Sequence, residues 1–299
     1  MKFLKTWLKN LLERALVCPL FVHTEVLKRS TVKASEKNFH LIMPHRLNWK
    51  LTSSALRSFR KLSSKNHSFT LVVNFDEIPA DWEGWQWTDL TIVRNTITPL
   101  GRLFRMAFNK ENGSINNALA IDRGIKAEPD FRFAFIAHSD SAPLCADWDK
   151  YFFQALGENL VIGNVRDRTR VNAAHSSGTL FRQDEFLRRG GTVWPLYQFG
   201  RMVWDVSDGI TMALHPPALG PVPMLENSLY NPELGSRLRE NGGMLAEFVE
   251  TGTIVSFDAK CTKPIFAHMG RGTPRSQKDP AFAKRPAVDL WAEMIDGIN

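Results

Sequence analysis

The chain has 299 residues, 43% of them hydrophobic and 23% charged, a globular composition long enough to bury one large core or two small ones, which excludes a disordered chain. Cys18, Cys145 and Cys261 are far apart and form no Cys-x-x-Cys pair, so a zinc knuckle or redox motif is excluded and a reducing cytoplasm fits. The formal charge of +7 is uneven: residues 1–70 hold 14 Lys or Arg against 3 Asp or Glu, which leaves the other 229 residues at −4 and places any basic partner surface at the N-terminus.

At the N-terminus, Phe3, Leu4, Trp7, Leu8, Leu11, Leu12, Ala15 and Leu16 recur at helical spacing, and Lys2, Lys5, Lys9, Asn10, Glu13 and Arg14 fill the other face. Such a basic amphipathic helix suits an anionic membrane surface, with Trp7 at the headgroup boundary. Packing on the domain or on a second subunit accounts for it equally. The apolar stretch at 15–22 is short, contains Pro19, and falls well below the roughly 18 to 20 residues that cross a bilayer. Lys9, Glu13 and Arg14 crowd it and no small-x-small site follows, so the segment reads as retained rather than as a signal peptide. Residues 23–38 are polar and read as a connector, which divides the chain into 1–38 and a catalytic domain over 39–299.

From there short apolar runs alternate with helical patterns. Residues 40–44 (HLIMP) read as a buried strand, and Leu51, Ala55, Leu56, Phe59 and Leu62 as the apolar face of a helix. Residues 69–75 and 89–93 are further strands and 115–126 a second helix. Residues 131–137 (FRFAFIA) form a strand that runs into His138-Ser139-Asp140. The order predicts an α/β fold, a Rossmann-like, mostly parallel sheet flanked by helices. In such sheets ligands bind beyond the carboxyl ends of the strands, here residues 44–48, 74–77, 94–95 and 138–141. Neither G-x-G-x-x-G nor G-x-x-x-x-G-K-[ST] is present, which removes the main support for dinucleotide-binding and P-loop readings.

Leu41-Ile42-Met43-Pro44, Val72-Val73-Asn74-Phe75-Asp76, the small-residue helix around Asn117 to Ile125, and Phe135-Ile136-Ala137-His138-Ser139-Asp140-Ser141-Ala142-Pro143 with Asp147-Trp148 stand in a familiar order. Together they resemble the GT-A glycosyltransferases, the inverting family two in particular, over roughly residues 39–270. The resemblance implies transfer of a sugar from a nucleotide-diphosphate donor, UDP- or GDP-linked, to a glycan or glycolipid acceptor. It implies Pro44, His45, Arg46, Asn74, Asp76, Arg123, His138, Ser139, His175 and Arg271 around the donor. Asp140 and His268 would hold Mn2+ or Mg2+. His138 stands where the first Asp of the family's Asp-x-Asp would be, so only Asp140 carries over directly.

The chemistry is consistent with those roles. A leaving diphosphate needs its charge neutralised, typically by a divalent ion on carboxylates. An imidazole such as His268 favours manganese over magnesium, although a lone histidine is as often structural. Arg271 and Arg275 could close on a diphosphate or sit in a solvated loop. Inverting transfer needs a carboxylate base; Asp205 fits it, Asp208 is the second candidate, and one of the two can instead cap a helix over 209–214. His175 touches sugar hydroxyls or fills the core, and Trp82, Trp85 and Trp87 stack on sugars or pack on the sheet. Competing readings are a protein that binds sugar nucleotide without transfer, having lost the first Asp, and a nucleotidyltransferase, which lacks its Gly-rich loop here. Nucleic-acid binding is disfavoured by the few aromatics in the basic segment.

Overall fold

The computed structural model describes residues 20–36, 38–45, 48–64, 66–108, 113–167, 172–198, 201–206, 208–250, 252–269 and 287–298. The N-terminal amphipathic pattern lies outside the described residues. In chain order the strands are β1 (Val22–Lys28), β2 (Phe39–His45), β3 (Ser68–Asn74), β4 (Leu90–Ile97), β5 (Phe133–Ile136), β6 (Ser141–Pro143), β7 (Val161–Gly163), β8 (Arg166–Asp167), β9 (Ala173–Ala174), β10 (Thr179–Arg182), β11 (Leu196–Gln198), β12 (Arg201–Trp204), β13 (Ile254–Phe257) and β14 (Pro264–His268). The helices are α1 (Trp49–Leu62), α2 (Pro99–Phe108), α3 (Gly113–Ala127), α4 (Trp148–Leu156), α5 (Gln183–Arg188), α6 (Asp208–Leu214), α7 (Pro232–Asn241), α8 (Gly243–Glu250) and α9 (Ala287–Ile298).

The main sheet runs β1-β4-β3-β2-β5-β10-β7. Its centre, β4-β3-β2-β5, is parallel, with β1 antiparallel at one edge and β10 antiparallel to β5. This is the mixed α/β architecture expected, a mostly parallel sheet between helical layers. Parallel strands are buried on both faces and so read as continuous apolar runs. In β2, Leu41 and Met43 join the core under α1, while the intervening Ile42 packs with Ala118, Ile121 and Ile125 of α3 on the other face. A Cβ on Gly124 would lie 2.4 Å from Ile42 Cγ2, so α3 approaches the sheet too closely for any side chain there. Asn48 caps α1 by accepting from Leu51 N at 2.9 Å.

Two features differ from the sequence reading. The stretch taken as a connector supplies most of β1, which pairs with β4 from Val22↔Ile97 to Lys28↔Ile92, and residues 99–108 form a helix the periodicity did not reveal. The edge position explains the first: β1 is only half covered, so its residues are mixed in polarity. A second sheet, β13-β14-β6, joins the C-terminal region to the segment just after β5. Among the described residues no helix is long and apolar enough to cross a membrane.

Candidate metal and nucleotide site

Beyond β5 the chain leaves the carboxyl end of the sheet through a tight turn. Ser141 Oγ accepts from His138 N (2.9 Å) and donates to the His138 carbonyl (2.7 Å). The antiparallel pairing of β14 with β6 sets His268 opposite Ser141, and Met269 N donates to the Asp140 carbonyl at 2.9 Å. Backbone register therefore carries His268 to Asp140, with Nε2 3.7 Å from Oδ1, too long for a hydrogen bond. His138, Asp140 and His268 each offer a donor atom, all within 4.8 Å of one another.

Burial, reinforced by His175 and His138 nearby, holds the His268 imidazole well below its ordinary value, so it is neutral with a lone pair to give. Its buried Nδ1 has no hydrogen-bond partner among the described residues. His138 Nε2 lies 3.2 Å from Asn117 Nδ2 and 3.1 Å from Ser176 Oγ. His175 follows β9, where Ala174 N donates to Thr211 Oγ1 of α6 at 3.0 Å; its Nδ1 is 2.8 Å from Ser177 Oγ and its ring 5.5 Å from that of His268. Ser139 is buried between the histidine and the carboxylate. Two imidazoles and one carboxylate, partly to fully buried, form a donor set that fits a divalent ion.

A second polar group sits at the ends of β2 and β3. Phe75 adopts a left-handed φ of 62°, uncommon for a residue with a side chain, and turns the chain so that Asp76 Oδ2 meets His45 Nε2 at 3.1 Å. His45 Nδ1 engages Thr52 Oγ1 at 2.9 Å and the ring stacks on Trp49 at 3.9 Å. Burial lowers the His45 pKa against the opposing pull of Asp76. Pro44 is buried within β2. Asn74 is committed to a ladder across the sheet: its Oδ1 accepts from Asn95 Nδ2 (2.6 Å), its Nδ2 donates to Asn116 O (2.5 Å), and Asn95 Oδ1 accepts from Thr24 Oγ1 (2.6 Å).

Arg123 is not brought to either group; its guanidinium binds Thr24 on edge strand β1 and Asp122. Arg46 and Arg271 lie outside the described residues. Asp208 opens α6 and, buried, accepts from Asp205 N at 2.7 Å, which ties the two aspartates together at the start of the helix. Asp205 is half-buried and accepts from Val206 N at 2.7 Å. The tryptophans pack: Trp82 is buried with its Nε1 donating to Ser53 of α1 at 2.8 Å, and Trp87 lies 4.2 Å beneath Arg60. Sequence reasoning missed Asn117 and Ser176 as neighbours of His138, since an amide and a hydroxyl carry no motif.

No protein-family model and no curated protein matches the chain. Among solved structures it is similar to the mannosyltransferase PcManGT from Pyrobaculum calidifontis in complex with GDP-Man and Mn2+, at 14% identity over 99% of this chain and 83% of that one, with a TM-score of 0.39. It is similar to the galactosyltransferase LgtC in complex with donor and acceptor sugar analogs, at 10% identity over 87% and 96%, TM-score 0.49. The apo-form glycosyltransferase GlyE of Streptococcus pneumoniae TIGR4 matches at 11% identity over 87% of this chain and 63% of its own, TM-score 0.42. With TM-scores below 0.5, these likenesses carry no functional argument; the side-chain arrangement does.

Proposed function

We propose that this chain is a GT-A type, metal-assisted glycosyltransferase that moves a sugar from a nucleoside-diphosphate donor to a glycan or glycolipid acceptor. The observation that carries the reading is the pairing of β14 with β6, which delivers His268 to Asp140 at the carboxyl end of a parallel sheet, where ligands of such sheets bind. A divalent ion held by Asp140 and His268 would offset the charge that develops on the leaving diphosphate. The group of His45, Asp76 and Trp49 offers a carboxylate and an aromatic face to ribose and base, and His175 and Ser139 border the sugar. Asp205 takes the proton of the acceptor hydroxyl as its oxygen bonds to the anomeric carbon and the carbon–oxygen bond to the diphosphate breaks, the electron pair leaving with the diphosphate. That direct displacement inverts the anomeric centre. The basic N-terminal segment, residues 1–16, suits a lipid-linked acceptor at an anionic membrane face.

The test is turnover of UDP- and GDP-sugars with Mn2+ or Mg2+, read as nucleoside diphosphate released and product anomer by NMR. Transfer that inverts and is abolished in Asp205→Asn is the expected result; a retained anomer removes Asp205 as base. Binding of sugar nucleotide with neither transfer nor hydrolysis favours the second reading, a binding protein, for which the observation is the imidazole in place of one carboxylate at residue 138.

A further inference from the structure

We infer that the corner of the fold formed by Leu20, Leu100, Arg102 and Leu103 is a docking surface for an anionic lipid bilayer, one that turns the candidate site toward the membrane. The inference adds a described part of the fold to the basic N-terminal pattern, and its consequence for the acceptor rests on the transferase reading above. Among the described residues eight large apolar side chains are exposed, and three of them belong to this corner: Leu20 at 65%, Leu100 at 51% and Leu103 at 66%. Thr98 ties their backbones together. Its N donates to the Phe21 carbonyl at 3.0 Å and its Oγ1 to the Leu20 carbonyl at 2.6 Å, and the same hydroxyl accepts from Gly101 N of α2 at 3.1 Å. A Cβ on Gly101 would lie 2.3 Å from the Phe21 carbonyl oxygen. The first turn of α2 is thus pressed onto the chain that enters β1, leaving Leu100, Arg102 and Leu103 exposed.

Charge decides the occupant. Residues 99–108 carry Arg102 and Arg105 and no acid, and residues 1–16, with eight apolar positions at helical spacing, carry four Lys or Arg against one Glu. Only residues 17–19 separate that pattern from Leu20. Segments of the same sign repel, and two exposed leucines of α2 are too small a face to cover eight apolar residues. A second copy docked symmetrically through this corner would set the same arginines against each other. Leucine beside arginine instead suits a bilayer boundary, where the apolar part enters the acyl region and the charge stays among anionic headgroups. Position supplies the consequence. The chain enters β1 where β4 ends, at Val22↔Ile97, on the same rim as the carboxyl ends of β3 and β2. Three strand spacings, about 14 Å, separate β4 from β5. A bilayer on this corner therefore favours an acceptor whose sugar is held close to the headgroups, a glycolipid rather than a free glycan.

The experiment is flotation of the full chain with phosphatidylcholine vesicles, with and without phosphatidylglycerol, at low and high salt. The wild type should float with the anionic vesicles alone, and less at high salt. Leu100→Ser/Leu103→Ser should weaken that binding by at least about tenfold and Arg102→Glu by at least about fivefold, both with wild-type urea unfolding curves. Leu219→Ser, at a leucine equally exposed elsewhere, should change nothing. Unchanged binding of the double variant would overturn the inference and leave any membrane contact to residues 1–16. Equal flotation with neutral vesicles would overturn it too, as would a wild-type dimer that the double variant dissociates. The transferase reading is scored separately, by donor turnover: the double variant should match wild type on a water-soluble acceptor and fall behind on a glycolipid embedded in anionic vesicles. Turnover by a chain that does not float would remove the surface and leave that reading; anionic flotation without turnover on either acceptor would keep the surface and remove the reading.

Discussion

Two histidine–aspartate pairs in this molecule show how surroundings decide what the same residues do. His67 Nε2 lies 3.0 Å from Asp149 Oδ2, and both side chains are buried. Ser64 gives Asp149 its N–H at 2.9 Å and its hydroxyl at 2.5 Å, and the other His67 nitrogen accepts from Phe39 N at 3.1 Å. Every strong donor and acceptor is matched internally, and those bonds hold the Asp149 carboxyl below its ordinary range despite burial. His268 and Asp140 stand 3.7 Å apart instead, beside a second histidine, and one buried imidazole nitrogen of the pair is unmatched among the described residues. The first pair is a structural joint between α4 and the start of β2; the second is the one we propose to hold an ion.

That contrast is most sharply broken by truncating each carboxylate. Asp149→Ala should cost about 3–5 kcal/mol, because it leaves the buried His67 imidazole and the half-buried Ser64 hydroxyl without their partner; urea unfolding measures it, and a loss below about 1 kcal/mol would mean the joint is dispensable. Asp140→Ala should leave the ion-free protein within about 1 kcal/mol of wild type and instead abolish the stabilisation by Mn2+, about 2.7 kcal/mol at a hundred times the dissociation constant. A thermal scan with and without the ion separates the two.

Acid provides a third comparison. His40 is buried, and its imidazole is pushed down from 6.5 to about 3. As pH falls below 6.5 the unfolded chain takes up a proton that the folded chain refuses, so stability is complete above that value and declines by about 1.4 kcal/mol per pH unit towards 3. The Asp149 joint behaves oppositely in sign: its contribution is present above the ordinary carboxyl value of 3.8 and is lost only as pH drops through its lower folded value. His40→Asn should therefore flatten the stability profile between pH 4 and 6 by about one proton, while Asp149→Ala leaves that slope intact. The smallest effect belongs to Ser64→Ala, about 1–2 kcal/mol for the lost hydroxyl bond, measured by the same unfolding curves.

The parts of this fold readable from sequence are those where burial imposes a pattern. β2, β3, β4 and β5 appear as apolar runs, and α1 and α3 appear through their stripes, because both sheet faces are covered. β1 escaped because an edge strand with one residue buried of seven has no such pattern. In the candidate site, the meeting of Asp140 and His268 was expected from the family resemblance alone: it depends on the β6–β14 register, a long-range pairing that local periodicity does not encode. Likewise the adjacency of Asp205 and Asp208 left their roles ambiguous in the sequence, and the fold adds a bond from Asp205 N to the Asp208 carboxylate.

The β6–β14 pairing has a consequence for assembly. During synthesis Asp140 emerges with the sheet's central strands already made, while His268 arrives after α7, α8 and β13. A nascent chain that has folded its parallel core still lacks His268, because β14 must close a long loop to reach β6. At the proposed ion site binding competence would thus be acquired late, and an ion bound there would act as a latch on β14 rather than as a nucleus for the first strands.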